Sequence, residues 1–599
     1  MSASHLREIK DVVQAVKSAK SRGKSCCLLI GAGCSASAGI PTAAEIVKQI
    51  KDNYSDAYDR AEQKNYPHCM GELLPDERDD LILESIKKAK INWAHICIAI
   101  LMKENYVDRV LTTNFDPLVS RACALLGEFP AVYDFAASEK FDPGRVAEKA
   151  IYHLHGQHTG FVLLHTPDKT EAHAKRLGPV FEETRQNRLW IVVGYSGESD
   201  PVFNHLRKIE EFRNGLFWIG HDDSEPSANL RDHLLDNGKS AFYTKGYDAD
   251  SFFVKLTQEL GVFPPEFINK PFHHLNKLFD GIQPFTFKED SSGEDVTRTA
   301  RDQIRRAMER AESDQKEAAV SEARRLIMAG DYEAATRFME KNDLKNDPQL
   351  SSDLYWAYIK QGNALLRTGK NQTGEEAETL FNQATDKYKA ALEIKPDHPD
   401  ALINWGNALL NLAETKSGKE TEQFYNQAID KYKAALEIKP DHRSALINWG
   451  VALSNLAKTK SGKEAEQFFN QAIDKYKTTL EIKPDHPDAL NNWGVALSGL
   501  GKTKSGKEAE QLFNQAMEKY KKALQLNPRH LYTTFNIAYL LGCQGDIEGA
   551  RQWFEKRMPL GPFSADEIEE LKDKDLDPLR KLDWFKKMVK EAGEKEEMK

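Results

Sequence analysis

Four short strings in the first 230 residues place glycine, amide, carboxylate and imidazole groups at the ends of apolar runs. The first is Gly31-Ala32-Gly33-Cys34-Ser35, directly after Cys26–Ile30. Glycines there let the backbone approach a pyrophosphate, and a following helix N-terminus attracts its charge. The same residues also suit a plain strand-to-helix turn. The second string is Thr112-Thr113-Asn114-Phe115-Asp116-Pro117, an amide and a carboxylate in a sequence that also favours a turn. The third is His155-Gly156. An imidazole exchanges a proton near neutral pH, which suits activation of a hydroxyl or a water. The fourth is Gly194-Tyr195-Ser196. His153 and His155 share strand parity, and His158 follows. No acidic or Cys residue has ligand spacing to them, so no metal is expected.

The elements that position these groups are short apolar runs: Cys26–Ile30, Val107–Thr112, Ile151–Leu154, Leu189–Val193 and Phe217–Ile219. Each ends in Gly, Asn or His, and helical stretches separate them. Continuous apolar strands alternating with helices predict a buried parallel sheet, an α/β Rossmann-like domain. Ligands of such sheets sit at the carboxyl ends of the strands, where all four strings fall.

The C-terminal half repeats. Asn404-Trp405-Gly406 returns as Asn448-Trp449-Gly450 and Asn492-Trp493-Gly494, a period of 44 residues. Each unit continues with Ala, Tyr and Pro, as in Ala428, Tyr432 and Pro440. Small residues let two antiparallel helices approach, Tyr is expected to fill the groove between neighbouring units, and Pro stops the second helix. The pattern resembles the tetratricopeptide repeat of 34 residues, with about ten more between Gly406 and Ala428. These are read as lengthened helices and a Lys-Ser-Gly-Lys hairpin. A weaker unit at Glu322–Lys341 is expected to start an all-α solenoid. The Tyr and Trp stripe is expected to be packing rather than a ligand cage. The Lys-Ser-Gly-Lys turns are read as solvated hairpins in preference to a basic ridge.

The expected organisation is a catalytic domain over 1–282 with a helical insertion at 54–103, and a linker over 283–317. Repeats follow over 318–562, with a capping helix and charged tail over 563–599. A chain of 599 residues exceeds one core. Its net charge of −9 excludes a general attraction for nucleic acid. No apolar run reaches membrane-spanning length and the first 20 residues lack a signal-peptide pattern, so a cytoplasmic protein is expected. The seven cysteines, none paired as C-x-x-C, are expected to be buried reduced thiols.

The string Gly31 to Pro41 resembles the sirtuin opening motif G-A-G-x-S-x-x-x-G-I-P at every fixed position. Thr112, Asn114 and Asp116 match the sirtuin T-Q-N-I-D segment, with Thr113 for Gln and Phe115 for Ile. Asn92-Trp-Ala-His and an apolar helix precede it, as in that family. His155-Gly156 matches the catalytic His-Gly, and Gly194 and Ser196 match the G-T-S segment. Gly220, in Trp218-Ile-Gly-His-Asp, falls where further adenosine contacts are placed. The resemblance implies an NAD site. Gly31, Ala32, Gly33, Ser35, Ile40, Pro41, Thr113, Asp116, Gly194, Ser196 and Gly220 would bind NAD, and Asn114 and His155 would be catalytic. In the family the Asn contacts the nicotinamide ribose and the reacting water, and the Asp helps hold the carboxamide.

Two departures narrow this implication. Pro41 is not followed by Asp-Phe-Arg, and no cysteine lies between His155 and Gly194, where deacylase sirtuins carry a zinc module. The arrangement looks like sirtuin-like NAD hydrolases of bacterial phage defence. NAD would be the substrate and His155 the general base. The repeats would serve homo-oligomer assembly or sense a phage-protein trigger. The rivals are a protein deacylase or ADP-ribosyltransferase using the same NAD, and a non-catalytic NAD-sensing scaffold.

Overall fold

The computed structural model describes all residues except 1–4, 138–140, 158–166, 198–200, 222–224, 237, 284–295, 314, 561–562 and 598–599. The chain divides into two compact units, Met1–Gly330 and Asp331–Lys599.

The first unit is built on seven strands: β1 (Cys26–Ile30), β2 (Val107–Thr112), β3 (Ala131–Asp134), β4 (Ala150–His153), β5 (Leu189–Val193), β6 (Leu216–Ile219) and β7 (Ala241–Thr244). Their order is β3-β4-β2-β1-β5-β6-β7, and every pairing is parallel. The five apolar runs are all strands. β3 and β7, not foreseen, are the two edges. Each is four residues long and mixes polar with apolar side chains, so neither stands out as a run. β7 is covered by the chain near its start: Tyr243 N–H donates to His5 O at 2.8 Å, and Arg7 N–H to Tyr243 O at 2.9 Å. That pairing uses edge groups otherwise open to another strand.

Strand alternation divides the core. Cys26, Leu28 and Ile30 pack with Val12, Val16, Ile98 and Phe252 on one face. Cys27 and Leu29 pack with Phe181, Trp190, Phe203 and Trp218 on the other. Burial on both faces explains why β1 and β5 are apolar throughout. Between β1 and β2 the chain makes helices Ala43–Asn53, Ser55–Arg60, Tyr66–Gly71, Pro75–Lys88 and Trp93–Lys103. The first starts on a Thr42–Glu45 capping box. Ile46, Ile50, Cys69, Met70, Leu73, Ile82 and Ile86 form a small core of their own there. Trp93–Lys103 instead belongs to the main core. It is buried on nearly every side, as a helix apolar all round must be. Within 283–317, residues 284–295 and 314 lie outside the described residues, and helix Val296–Ser313 occupies most of the rest.

In the second unit four antiparallel helix pairs carry the repeat. They are Ser351–Gly369 with Gly374–Ile394, Pro399–Glu414 with Lys419–Ile438, Arg443–Lys458 with Gly462–Ile482, and Pro487–Lys502 with Gly506–Leu526. A shorter pair, Leu531–Cys543 and Ile547–Arg557, follows. The extra residues of each unit do lengthen helices and hairpin. The tyrosines also pack inside their own helix pair. A Cβ on Gly362, Gly406, Gly450 or Gly494 would stand 2.4–2.6 Å from the ring of Tyr388, Tyr432, Tyr476 or Tyr520 of the same pair. The ring therefore fills the gap opened by glycine within its own unit. Ion pairs join neighbouring units. Lys460 Nζ lies 2.7 Å from Glu422 and Lys504 Nζ 2.7 Å from Glu466, each one unit back. The first lysine of each of these hairpins is thus tied to the preceding unit. Phe563, Leu571, Leu576, Leu579 and Phe585 close the last pair, with a buried Arg557–Glu567 ion pair at 2.7 Å.

Candidate active site

β1 lies where the strand order reverses, with β2 on one side and β5 on the other, so loops diverge there and leave a crevice. After Ile30 the chain passes through Gly31 into the turn Ala32–Cys34. This turn rests on the loop after β5. Gly31 N–H donates to Val193 O at 3.1 Å and Gly33 N–H to Gly194 O at 2.9 Å. A Cβ on Gly31 would stand 2.6 Å from Gly194 O, and one on Gly33 2.7 Å from Gly194 Cα. Gly194 has φ +66°, and a Cβ there would stand 2.5 Å from Cys34 N. Glycine is required at these three positions by the approach of two protein loops to each other, before any ligand is considered. At Gly220 a Cβ would stand 1.9 Å from Tyr243 Oη.

A cavity of about 930 Å³ opens over the carboxyl ends of the strands. Ala32, Gly33, Ile40 and Pro41 line it from the β1 side, Thr113, Asn114 and Asp116 from β2, and His155 from β4. Gly194, Ser196 and Gly220 continue the wall after β5 and β6. Gly31 and Ser35 stand behind this wall. Ser35 is fully buried and its hydroxyl donates to Asp116 Oδ2 at 2.8 Å. Asp116 Oδ1 accepts from Leu118 N–H at 3.0 Å, starting helix Leu118–Leu125. Asn114 Nδ2 lies 3.1 Å from Gly31 O and 3.1 Å from Ser35 Oγ. The Asn114 backbone N–H donates to Thr112 Oγ1 at 3.0 Å. The two histidines of the third string part company. His153, the last residue of β4, is buried with Nδ1 3.0 Å from Asn114 O. His155 lies past the strand end, where alternation no longer governs it, and reaches the cavity. His158 lies outside the described residues.

Sequence reasoning missed two sets of residues. Ile46 and Val47 of helix Ala43–Asn53, with Tyr66, Leu81 and Ile82 of the helical insertion, form one wall of the cavity, and Trp218, Tyr243, Tyr247 and Asp248 form part of the other. The second omission is His95, fully buried, with Nε2 3.3 Å from Ser35 Oγ. Burial lowers its pKa below the ordinary 6.5, partly opposed by Asp116 and Asp250. Its signal was present: Asn92 caps the helix by accepting from His95 N–H at 3.0 Å, and His95 is the one imidazole in an otherwise apolar helix. Asn92 Nδ2 also reaches back to Cys34 O at 2.8 Å, tying this helix to the glycine turn. Burial raises the thiol of Cys26 to about 12, as expected of an inert core cysteine. Among the described residues no group of three or more His, Cys, Asp or Glu is placed to hold a metal ion. No helix among them is long and apolar enough to cross a membrane.

Residues 108–240 match the family model described as SIR2-like domain. This span contains Asn114, Asp116, His155, Gly194, Ser196 and Gly220. Residues 379–486 and 440–533 match the model for plant specific mitochondrial import receptor subunit TOM20. No curated protein sequence matches the chain. Among solved structures, the array is similar to MamA from Desulfovibrio magneticus RS-1 at 18% identity, covering 34% of this chain and 94% of that one, with TM-score 0.25. It is similar to YrrB, a TPR protein with an unusual peptide-binding site, at 20% identity over 38% and 94%, with TM-score 0.26. A tetratricopeptide repeat protein from Parabacteroides merdae aligns at 17% identity over 47% and 92%, with TM-score 0.34. At such scores the assignment of the array rests on its own 44-residue helix pairs. The chain joins a sirtuin-like domain, carrying the cavity, to an array of tetratricopeptide-type repeats.

Proposed function

We propose that the chain is an NAD hydrolase, cleaving the nicotinamide–ribose bond with water to give nicotinamide, ADP-ribose and a proton. The observation that carries this reading is the convergence of Asn114, Asp116 and His155, from two adjacent strands, on one cavity at the switch point. From β4 to β6 the wall spans four strand intervals, roughly 19 Å at ~4.8 Å each, a reach suited to an extended dinucleotide. Asp116 keeps lone pairs beyond the two it uses and would hold the carboxamide. Asn114 would orient the water, and His155 would take its proton as general base. The wall formed by the insertion helices would exclude bulk water. The absence of cysteine between His155 and Gly194 supports hydrolysis over deacylation, since the zinc module that braces an acyl-lysine cleft is missing. An enzyme that depletes NAD needs restraint. We assign this to the repeats, through self-assembly or a phage-protein trigger in a cytoplasmic antiphage effector.

The test is NAD loss and nicotinamide release by the purified full-length protein, with Asn114→Ala and His155→Ala, with and without lysate from phage-infected cells. Turnover that each substitution lowers by about 10²–10⁴-fold supports the reading. Binding of NAD without turnover under any condition would replace it with the sensor reading. Turnover only with an acylated peptide would move the protein to the deacylases.

A further inference from the structure

The hydrogen-bond inventory around Ser35 leaves little freedom. Gly31 O can only accept, so the Asn114 amide atom 3.1 Å from it is the nitrogen. The Asp116 carboxylate can only accept, so the Ser35 proton points to it across 2.8 Å. The two lone pairs of Ser35 Oγ remain. One takes the second Asn114 N–H at 3.1 Å, and the other faces His95 Nε2 at 3.3 Å. A lone pair on Nε2 would repel it, whereas an Nε2–H donates to it. His95 Nδ1 is buried with no hydrogen-bond partner among the described residues, and this too favours a bare nitrogen there over a stranded N–H. Leucine would fill the same apolar site without burying an unpaired nitrogen. The imidazole is therefore present for what Nε2 does.

We infer that His95, as the Nε2–H tautomer, is a positioning residue: it completes the bonding of Ser35, which locks the Asn114 amide with its carbonyl Oδ1 presented to the cavity. Both Asn114 amide hydrogens are consumed by Gly31 and Ser35. No hydrogen bond among the described residues reaches Oδ1. Asn114 thus offers the cavity an acceptor. An acceptor takes a hydrogen from a water and leaves the water's lone pair free to attack, which a donating amide would not do. The inference deepens the hydrolase reading and rests on it for its kinetic consequence. The charged groups facing His95 are Asp116 after β2 and Asp250 of helix Ala249–Glu259. Asp250 is itself engaged by Ser37 Oγ and by Ala94 N–H at 2.7 Å.

The experiment uses the full-length protein and two variants, His95→Leu and His95→Gln, since a glutamine amide can place N–H where Nε2 stands. Nitrogen-15 spectra of histidine-labelled protein read the tautomer, with the Gln variant assigning the signal. The expected result is a neutral Nε2–H form at pH 7. For NAD turnover, His95→Leu should lower kcat about 10–100-fold with little change in KM, the size typical of losing a support behind a functional group. His95→Gln should restore most of that loss. An Nδ1–H form or an imidazolium at pH 7 overturns the inference. So does a folded Leu variant with unchanged kcat, or a folded Gln variant as poor as Leu. If wild type consumes no NAD, the hydrolase reading falls, and the tautomer spectrum alone decides the role of His95.

Discussion

Glycine solves the same steric problem in both units, and the difference in how often it does so separates packing from chemistry. In the array, Gly362, Gly406, Gly450 and Gly494 each admit a tyrosine ring, one contact reproduced at each turn of the repeat. In the α/β unit, Gly31, Gly33 and Gly194 admit one another's backbone, once, at the strand-order reversal. A repeated contact is a local stability device, since each unit depends on its neighbours alone. A contact made once, beside Asn114 and Ser35, sets the position of the groups proposed to react, and no second copy compensates for its loss.

The sharpest way to break this comparison is Gly194→Ala. A methyl group 2.5 Å from Cys34 N, on a residue at φ +66°, cannot be absorbed by a side-chain movement. It should abolish NAD turnover and destabilise the α/β unit by about 2–4 kcal/mol, combining overpacking with backbone strain. Melting curves and turnover on the same preparation check this. Full activity would show that the two loops separate freely. Gly450→Ala is the matched change in the array, with its Cβ 2.5 Å from Tyr476 Cε1. A ring edge can shift, so about 1–3 kcal/mol is expected. Hydrogen exchange should confine the loss to the helices around residues 443–482, with NAD affinity unaltered. Protection lost equally through Met1–Gly330 would refute the local picture.

The smallest expected effect is a pH slope. The pKa of His95 is held below 6.5 chiefly by burial, while the unfolded chain takes up this proton near 6.5. The unfolded state then binds more protons as pH falls, so the stability contributed by the neutral imidazole is whole above pH 6.5 and declines below it. His486 in the array is lowered by burial in the same direction. Denaturant titrations between pH 7 and 5 should show both units weakening. His95→Gln should flatten the slope of the α/β unit and leave that of the array. An unchanged slope would place the acid sensitivity elsewhere.

Much of the molecule was legible from residue order. β1 and β5 are buried on both faces, so they had to be apolar throughout and could be read as runs. The 44-residue period repeats residue types because each unit repeats one packing problem, and the helix pairs follow it. The strings around Gly31, Asn114, His155 and Gly194 fall at strand ends, where a parallel sheet exposes its polar groups, and nearly all of them meet at one cavity. Pairing partners stayed hidden. β3 and β7 are short edge strands whose existence depends on a neighbour already being in place. That Tyr432 packs against Gly406 of its own unit, and that Lys460 reaches back to Glu422, are matters of which helix lies beside which. The insertion helices as a cavity wall, and His95 beneath Ser35, required distant segments to be brought together. Residue order alone determined which groups are available and how strands and helices recur, since those depend on neighbours along the chain. Tertiary structure alone decided why the glycines are needed, which way the Asn114 amide faces and what stands behind it, since a hydrogen bond is set by the atoms that surround it in space.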